Sequence, residues 1–181
     1  SVRTAFEAAK TSWGEVEILV NNAGAAASAP FAKTDRTLWD SMLAVNLTGM
    51  FECQQAVLHD MRTAKFGRIV NIVSTARRIG YAYGAIGLTR ALALETARDG
   101  ITVNAVCPGF TQTDLLEDSL QNIMNTTGRS RADAEKSLQA VNPQRRFIQP
   151  EEVAATVAWL CSAGAGSITG QSIAVAGGEV M

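Results

Sequence analysis

The sequence predicts an α/β protein built on a parallel sheet with helices on both faces. Short branched apolar runs recur along the chain, as in Ile18-Leu19-Val20, Ile69-Val70 and 101–107. Stretches with helical spacing separate them, and each run breaks at amides, a serine or Pro108-Gly109. Strands that stay apolar without alternating are buried on both faces, and strands that alternate with helices build parallel sheets.

Taken in order, Val2, Ala5, Phe6, Ala9 and Trp13 share one helical stripe, and Gly14 stops it before a strand at about 17–20. Asp35 is a plausible N-cap for a helix over about 35–61, with Leu38, Met42, Val45, Gly49 and Ala56 close to one stripe. Gly67 opens a strand over 68–73, a third helix covers about 85–98, and Gly100 ends it before the strand 101–107. The polar segment 113–149 is too long for an unstructured connection and is expected to hold helical pieces of a functional lid. Pro150, with Glu151 and Glu152 behind it, opens a last helix over 150–161, and 172–176 makes the final strand. The first strand ends in Asn21-Asn22-Ala23-Gly24, at the carboxyl edge where open α/β sheets hold ligands; Ala23-Gly24 lets a flat or phosphorylated molecule approach the backbone.

Composition narrows the function. The chain has 181 residues, 47% apolar and 18% charged, enough for one sizeable core, so 1–181 reads as a single domain. A formal net charge of -1 argues against nucleic acid or an anionic membrane as partner. Cys53, Cys107 and Cys161 are odd in number and sit in apolar surroundings, as core thiols of a reducing compartment do, and no metal-ligand spacing exists. With no signal-peptide pattern and no membrane-length apolar run, a cytoplasmic protein is expected. His59 reads as a surface residue, Asp35 and Arg36 as cap and solvated charge, and Arg129, Arg131, Arg145 and Arg146 as a solvated face.

Six segments together resemble the short-chain dehydrogenase/reductases. They are Asn21-Asn22-Ala23-Gly24; Val45-Asn46-Leu47-Thr48-Gly49; Gly67-Arg68-Ile69-Val70-Asn71-Ile72 leading to Ser74; 87–95; Val103-Asn104-Ala105-Val106-Cys107-Pro108-Gly109 with Thr113; and Ile168-Thr169-Gly170-Gln171. The wording is nearest to members that reduce 3-oxoacyl thioesters and polyketide carbonyls. The resemblance implies a Rossmann-like doubly wound sheet and an NAD(P)-dependent oxidoreductase that interconverts a ketone and a secondary alcohol. Ser74 would then donate a hydrogen bond to the substrate oxygen, and Asn46 would support a water and proton relay. Asn21, Ala23, Gly24, Pro108, Gly109, Thr111 and Thr113 would line the cofactor, NAD or NADP. The family also implies a homo-oligomer, through the last helix, the final strand and the two long helices.

Two departures matter as much. In the family a catalytic tyrosine and lysine stand four residues apart on one helix, so that the ammonium lowers the phenol's proton affinity. Here Ala85 stands four residues after Tyr81 and Gly87 four after Tyr83, and the next lysine is Lys136. One contiguous deletion after Tyr83 accounts for both losses. It leaves Tyr83 as a loop residue that could substitute only by proximity, and Arg77, Arg78 and Arg90 as solvated charges. Losing a positioned general acid costs about a hundredfold to ten-thousandfold in rate. The glycine-rich strand-turn-helix that cradles a pyrophosphate does not precede Asn21 either, a difference of roughly sixty residues by the size of such units. This predicts weakened cofactor binding and an unpaired, apolar edge at the first strand. The alternative function is a catalytically inactive remnant acting as an oligomer or interaction subunit.

Overall fold

The computed structural model describes residues 1–27, 29, 31–75 and 80–180. The expectation for Arg77 and Arg78 lies outside the described residues. Four parallel strands, β1 (Ile18–Asn21), β2 (Gly67–Ile72), β3 (Ile101–Pro108) and β4 (Ser172–Val175), lie side by side in chain order. Leu19 pairs with Ile69 and Ile69 with Val103, which fixes the register across the centre of the sheet. All four carboxyl ends therefore reach the same edge, as parallel strands require.

Side chains alternate between the faces of the sheet. On one face Leu19, Ile69, Ile101 and Val103 pack with Val57 and Met61 of α3 (Gly49–Ala64) and Ala93 of α4 (Gly80–Thr96). Phe6 of α1 (Val2–Trp13) closes that layer. On the other face Val70 and Val106 pack against Leu160 of α7 (Pro150–Cys161). β1 has no such cover, and Ile18 and Val20 on its outer face remain 46% and 40% exposed. Among the described residues β1 is the sheet's edge, as the sequence predicts.

Local chemistry explains most boundaries. The Asp35 carboxylate accepts from the Leu38 amide at 2.8 Å and starts α2 (Arg36–Leu43), while Arg36 pairs with Asp40. α7 opens on Pro150 with a capping box between Gln149 and Glu152. Gly100 has φ +74°, and a Cβ there would stand 2.2 Å from the Lys65 carbonyl oxygen, so only glycine fits this return to β3. The Arg68 guanidinium is buried at the amino end of β2, donating to the Gly67 and Gly100 carbonyls and lying 4.5 Å from the Phe66 ring centroid.

Segment 113–149 contains α5 (Asp114–Thr127) and α6 (Arg131–Gln139) around Leu116, Leu120 and Ala134. Of its four arginines, Arg131 pairs with Glu117 and Glu135, Arg146 pairs with Glu152, and Arg145 donates to the Ala140 carbonyl. His59 is exposed; Cys107 is buried, while Cys53 and Cys161 are half-buried.

Two sequence expectations are corrected. The single helix over 35–61 is two helices joined by a π-turn at Ala44–Thr48, because an inserted residue shifts the period and turns Asn46 inward. The third helix begins at Gly80 rather than Ala85, so Tyr83 is helical and not in a loop. Glycines at 84 and 87 argue against a helix locally, yet Gly84 fits where a Cβ would stand 3.1 Å from Leu47, and Ala82 and Ala85 are buried beside it.

Candidate functional site at the carboxyl edge of the sheet

The carboxyl edge is stitched from one strand exit to the next. The Val73 and Thr75 amides donate to the Val106 and Pro108 carbonyls at 2.8 and 3.0 Å, which holds Ser74 between them at the end of β2. Ser74 is half-buried. The Gly109 amide donates to the Val175 carbonyl at 3.1 Å, and the Thr111 hydroxyl turns back to the Gly109 carbonyl at 2.9 Å. Burial pushes the Cys107 thiol upward, partly offset by a backbone hydrogen bond from Ser74.

At the end of β1, Asn21 turns into the protein while Asn22, Ala23 and Gly24 stay exposed. Asn21 donates to the Asn71 side-chain oxygen at 2.8 Å, and Gln54 donates to the same atom at 3.0 Å. Asn71 in turn donates to Thr89, and Thr89 to the Ala85 carbonyl. Four polar side chains from β1, β2, α3 and α4 thus form one buried chain, with Gln54 Oε1 left without a partner. Asn21 supports the wall rather than facing the mouth.

Beyond Gly24 the segment is gripped at Ala25. The Asn46 amide accepts from the Ala25 N–H at 3.1 Å and donates to the Ala25 and Met42 carbonyls, each at 3.0 Å. The Tyr81 hydroxyl donates to the same Ala25 carbonyl at 3.3 Å. Burial alone raises the Tyr81 phenol above its ordinary value. Tyr83, two residues on along α4, is 64% exposed. Thr113 sits at the N-cap of α5 without capping it; its hydroxyl donates to the Thr111 carbonyl at 3.3 Å.

The structure therefore brings Ala23, Gly24, Ser74, Pro108, Gly109 and Thr111 to one edge, with Asn46 immediately behind. Sequence reasoning missed Tyr81 and Gln54 as members of the surrounding network. Tyr81 was hidden by the glycines that obscure the start of α4, and Gln54 by its neighbour Gln55, which is exposed on the same helix. Among the described residues no group of three His, Cys, Asp or Glu side chains could hold a metal, and no helix is long and apolar enough to cross a membrane.

An open parallel sheet with glycine-bearing turns and a serine at its carboxyl edge is an arrangement that dinucleotide-dependent α/β oxidoreductases use. A family profile described as enoyl-(acyl carrier protein) reductase matches residues 1–179. An acetoacetyl-CoA reductase of Cupriavidus necator is 35% identical over 187 aligned positions, which cover 98% of this chain and 72% of that protein. One from Rhizobium meliloti is 39% identical over 175 positions, 92% of this chain and 68% of the relative. The crystal structure of an actinorhodin polyketide ketoreductase variant with NADPH superposes with a TM-score of 0.93 at 36% identity, covering 98% of this chain and 72% of that one. This chain belongs to the short-chain dehydrogenase/reductase family of NAD(P)-dependent oxidoreductases, among ketoreductases whose relatives act on 3-oxoacyl-type substrates. The Cupriavidus alignment is longer than the 181 residues here, so at least six positions of that relative have no counterpart in this chain.

Proposed function

We propose that this chain interconverts a ketone and a secondary alcohol on a 3-oxoacyl-type thioester, using NAD or NADP. The observation that carries this reading is the placement of Ser74 at the carboxyl edge, between the exposed Ala23-Gly24 backbone and the Pro108-Gly109 turn. The residues present fit the nicotinamide end of the cofactor. Ala23, Gly24 and Gly109 offer backbone with a small side chain or none, and the exits of β1 and β3 stand on either side of β2. Ala23, Gly24, Pro108, Gly109, Thr111 and Thr113 are the residues we assign to the face of that cofactor wall, with Asn21 buried behind it as its support.

When bound, the cofactor supplies or accepts a hydride. In the reducing direction the Ser74 hydroxyl donates a hydrogen bond to the substrate carbonyl oxygen and stabilises the negative charge that grows there as the carbon–oxygen π bond breaks. Asn46 holds the wall through Ala25, and we assign it to the water and proton relay. No lysine stands four residues after either tyrosine, so we assign the proton that completes the hydroxyl to the largely exposed Tyr83 or to water. Turnover is accordingly about a hundredfold to ten-thousandfold below that of a member with a positioned acid. Segment 113–149 is assigned as the lid, and the apolar Trp159 of α7 and Leu94 of α4, both exposed, are assigned to homo-oligomer contacts.

Incubating the purified protein with acetoacetyl-CoA and reduced dinucleotide, and following the absorbance of the reduced nicotinamide ring, tests this. Slow oxidation that Ser74→Ala abolishes supports the reading. No turnover above buffer overturns it and leaves the interaction subunit as the alternative.

A further inference from the structure

We infer that Tyr81 is a positioning residue that holds the Ala23–Gly24 wall in place through the Ala25 carbonyl. The inference rests on the proposed use of that wall for a dinucleotide. Segment 23–27 has no regular structure, and most of it is exposed. The hydrogen bonds described for this segment meet at Ala25.

The two grips come from different elements. Asn46 binds both the amide and the carbonyl of Ala25 from the π-turn, as a neighbouring strand would. Its oxygen also lies 3.2 Å from where a Cβ on Gly24 would sit, so the wall rests directly on this amide. Tyr81 reaches the carbonyl from α4, across 56 positions of sequence, and so ties α4 to the wall. Removing its hydroxyl leaves the Ala25 carbonyl satisfied by Asn46, so no buried acceptor is orphaned and the fold keeps its bonds. What is lost is the fixed separation between the wall and α4. Tyr83 cannot replace it, because its side chain is 64% exposed.

Tyr81→Phe keeps the ring and removes only the donor. Three quantities are measured on the intact chain: amide exchange at Ala25 in the free protein, the dissociation constant for NADPH from its fluorescence, and the melting temperature. Exchange at Ala25 faster by about threefold to tenfold, with a similar rise in the NADPH constant and a melting temperature within about 2 °C of the parent, supports the inference. Unchanged exchange overturns it. Faster exchange spread over all of α4 with a melting temperature lower by more than about 5 °C makes the role structural only, and overturns it as well. A parent chain that binds no NADPH defeats the proposed function instead, and exchange at Ala25 still decides whether Tyr81 holds the wall. Faster exchange with unchanged NADPH binding overturns the link to the dinucleotide.

Discussion

Asn21 and Asn71, register partners on adjacent strands, are joined side chain to side chain by a 2.8 Å hydrogen bond, and both are buried. The same Asn71 oxygen also serves Gln54, and its amide serves Thr89. A leucine at 71 has the same branched side-chain skeleton, is somewhat larger, and has none of this capacity. Asn71→Leu leaves two buried donors and a hydroxyl short of partners, and the expected loss of stability is about 2–4 kcal/mol. Denaturant unfolding measures it, and a loss below about 1 kcal/mol would mean that water replaces the network.

Gly14 and Gly100 both have positive φ, +86° and +74°, but differ in what surrounds them. An added Cβ at Gly14 meets nothing within 4 Å, whereas at Gly100 it meets the Lys65 carbonyl oxygen at 2.2 Å. Gly14, at φ +86° and ψ −168°, lies in a backbone region that is essentially reserved for glycine, so Gly14→Ala is expected to cost backbone strain alone, about 1–3 kcal/mol. Gly100→Ala adds displacement of the turn that leads α3 into β2 to its own left-handed strain, and is expected to cost more by the same denaturant measurement.

The fold was legible where the chemistry is local. Continuous apolar strands, the Asp35 cap, Pro150 and Gly100 each mark an element from a few neighbouring residues. The π-turn at Asn46 was not legible, since one inserted residue changes the phase of a stripe without changing its composition. Nor was the start of α4, where burial of Ala82 and Ala85 outweighs two glycines. In the site, Ser74, Gly24 and Gly109 were readable from their positions after strands. The direction of Asn21, into Asn71 rather than into the mouth, depends on pairing across 50 residues, and the Tyr81 contact with Ala25 on 56. Spacing within a motif does not carry either.

Glu152 joins the cap of α7 to Arg146. Its carboxylate accepts from the Gln149 amide at 2.8 Å and from the Arg146 guanidinium at 2.6 and 2.7 Å. The Arg146 contact first, then the Gln149 amide, lowers its pKa from 4.5 to about 2. A carboxyl depressed on folding adds stability that is fully present above the unfolded value, near 4.5, and is lost as pH falls through the folded value, near 2. The pair lies at the surface, so the effect is screened. The melting-temperature difference between the parent and Glu152→Gln should hold constant from neutral pH to about 5 and shrink below it. A difference that grows on acidification would contradict the assignment.

The two positions four residues after the tyrosines differ sharply in their tolerance of a lysine. Ala85 is 1% exposed, and its carbonyl accepts the Thr89 hydroxyl inside the buried polar chain. Ala85→Lys would bury an ammonium in this packed interior, and is expected to cost more than about 3 kcal/mol or to prevent folding. Gly87 is exposed on α4, and an added Cβ there meets nothing within 4 Å. Gly87→Lys replaces a poor helix former with a good one and is expected to stabilise the chain by about 0.5–1 kcal/mol. It also sets an ammonium one turn after Tyr83, where attraction between the charges lowers the phenol's pKa. Phenolate absorbance against pH reads that shift in Gly87→Lys, and reductase turnover of the same variant reads whether Tyr83 supplies the proton. A tenfold or greater gain in turnover assigns that role to Tyr83; turnover equal to the parent's, with the phenol shifted, assigns the proton to water.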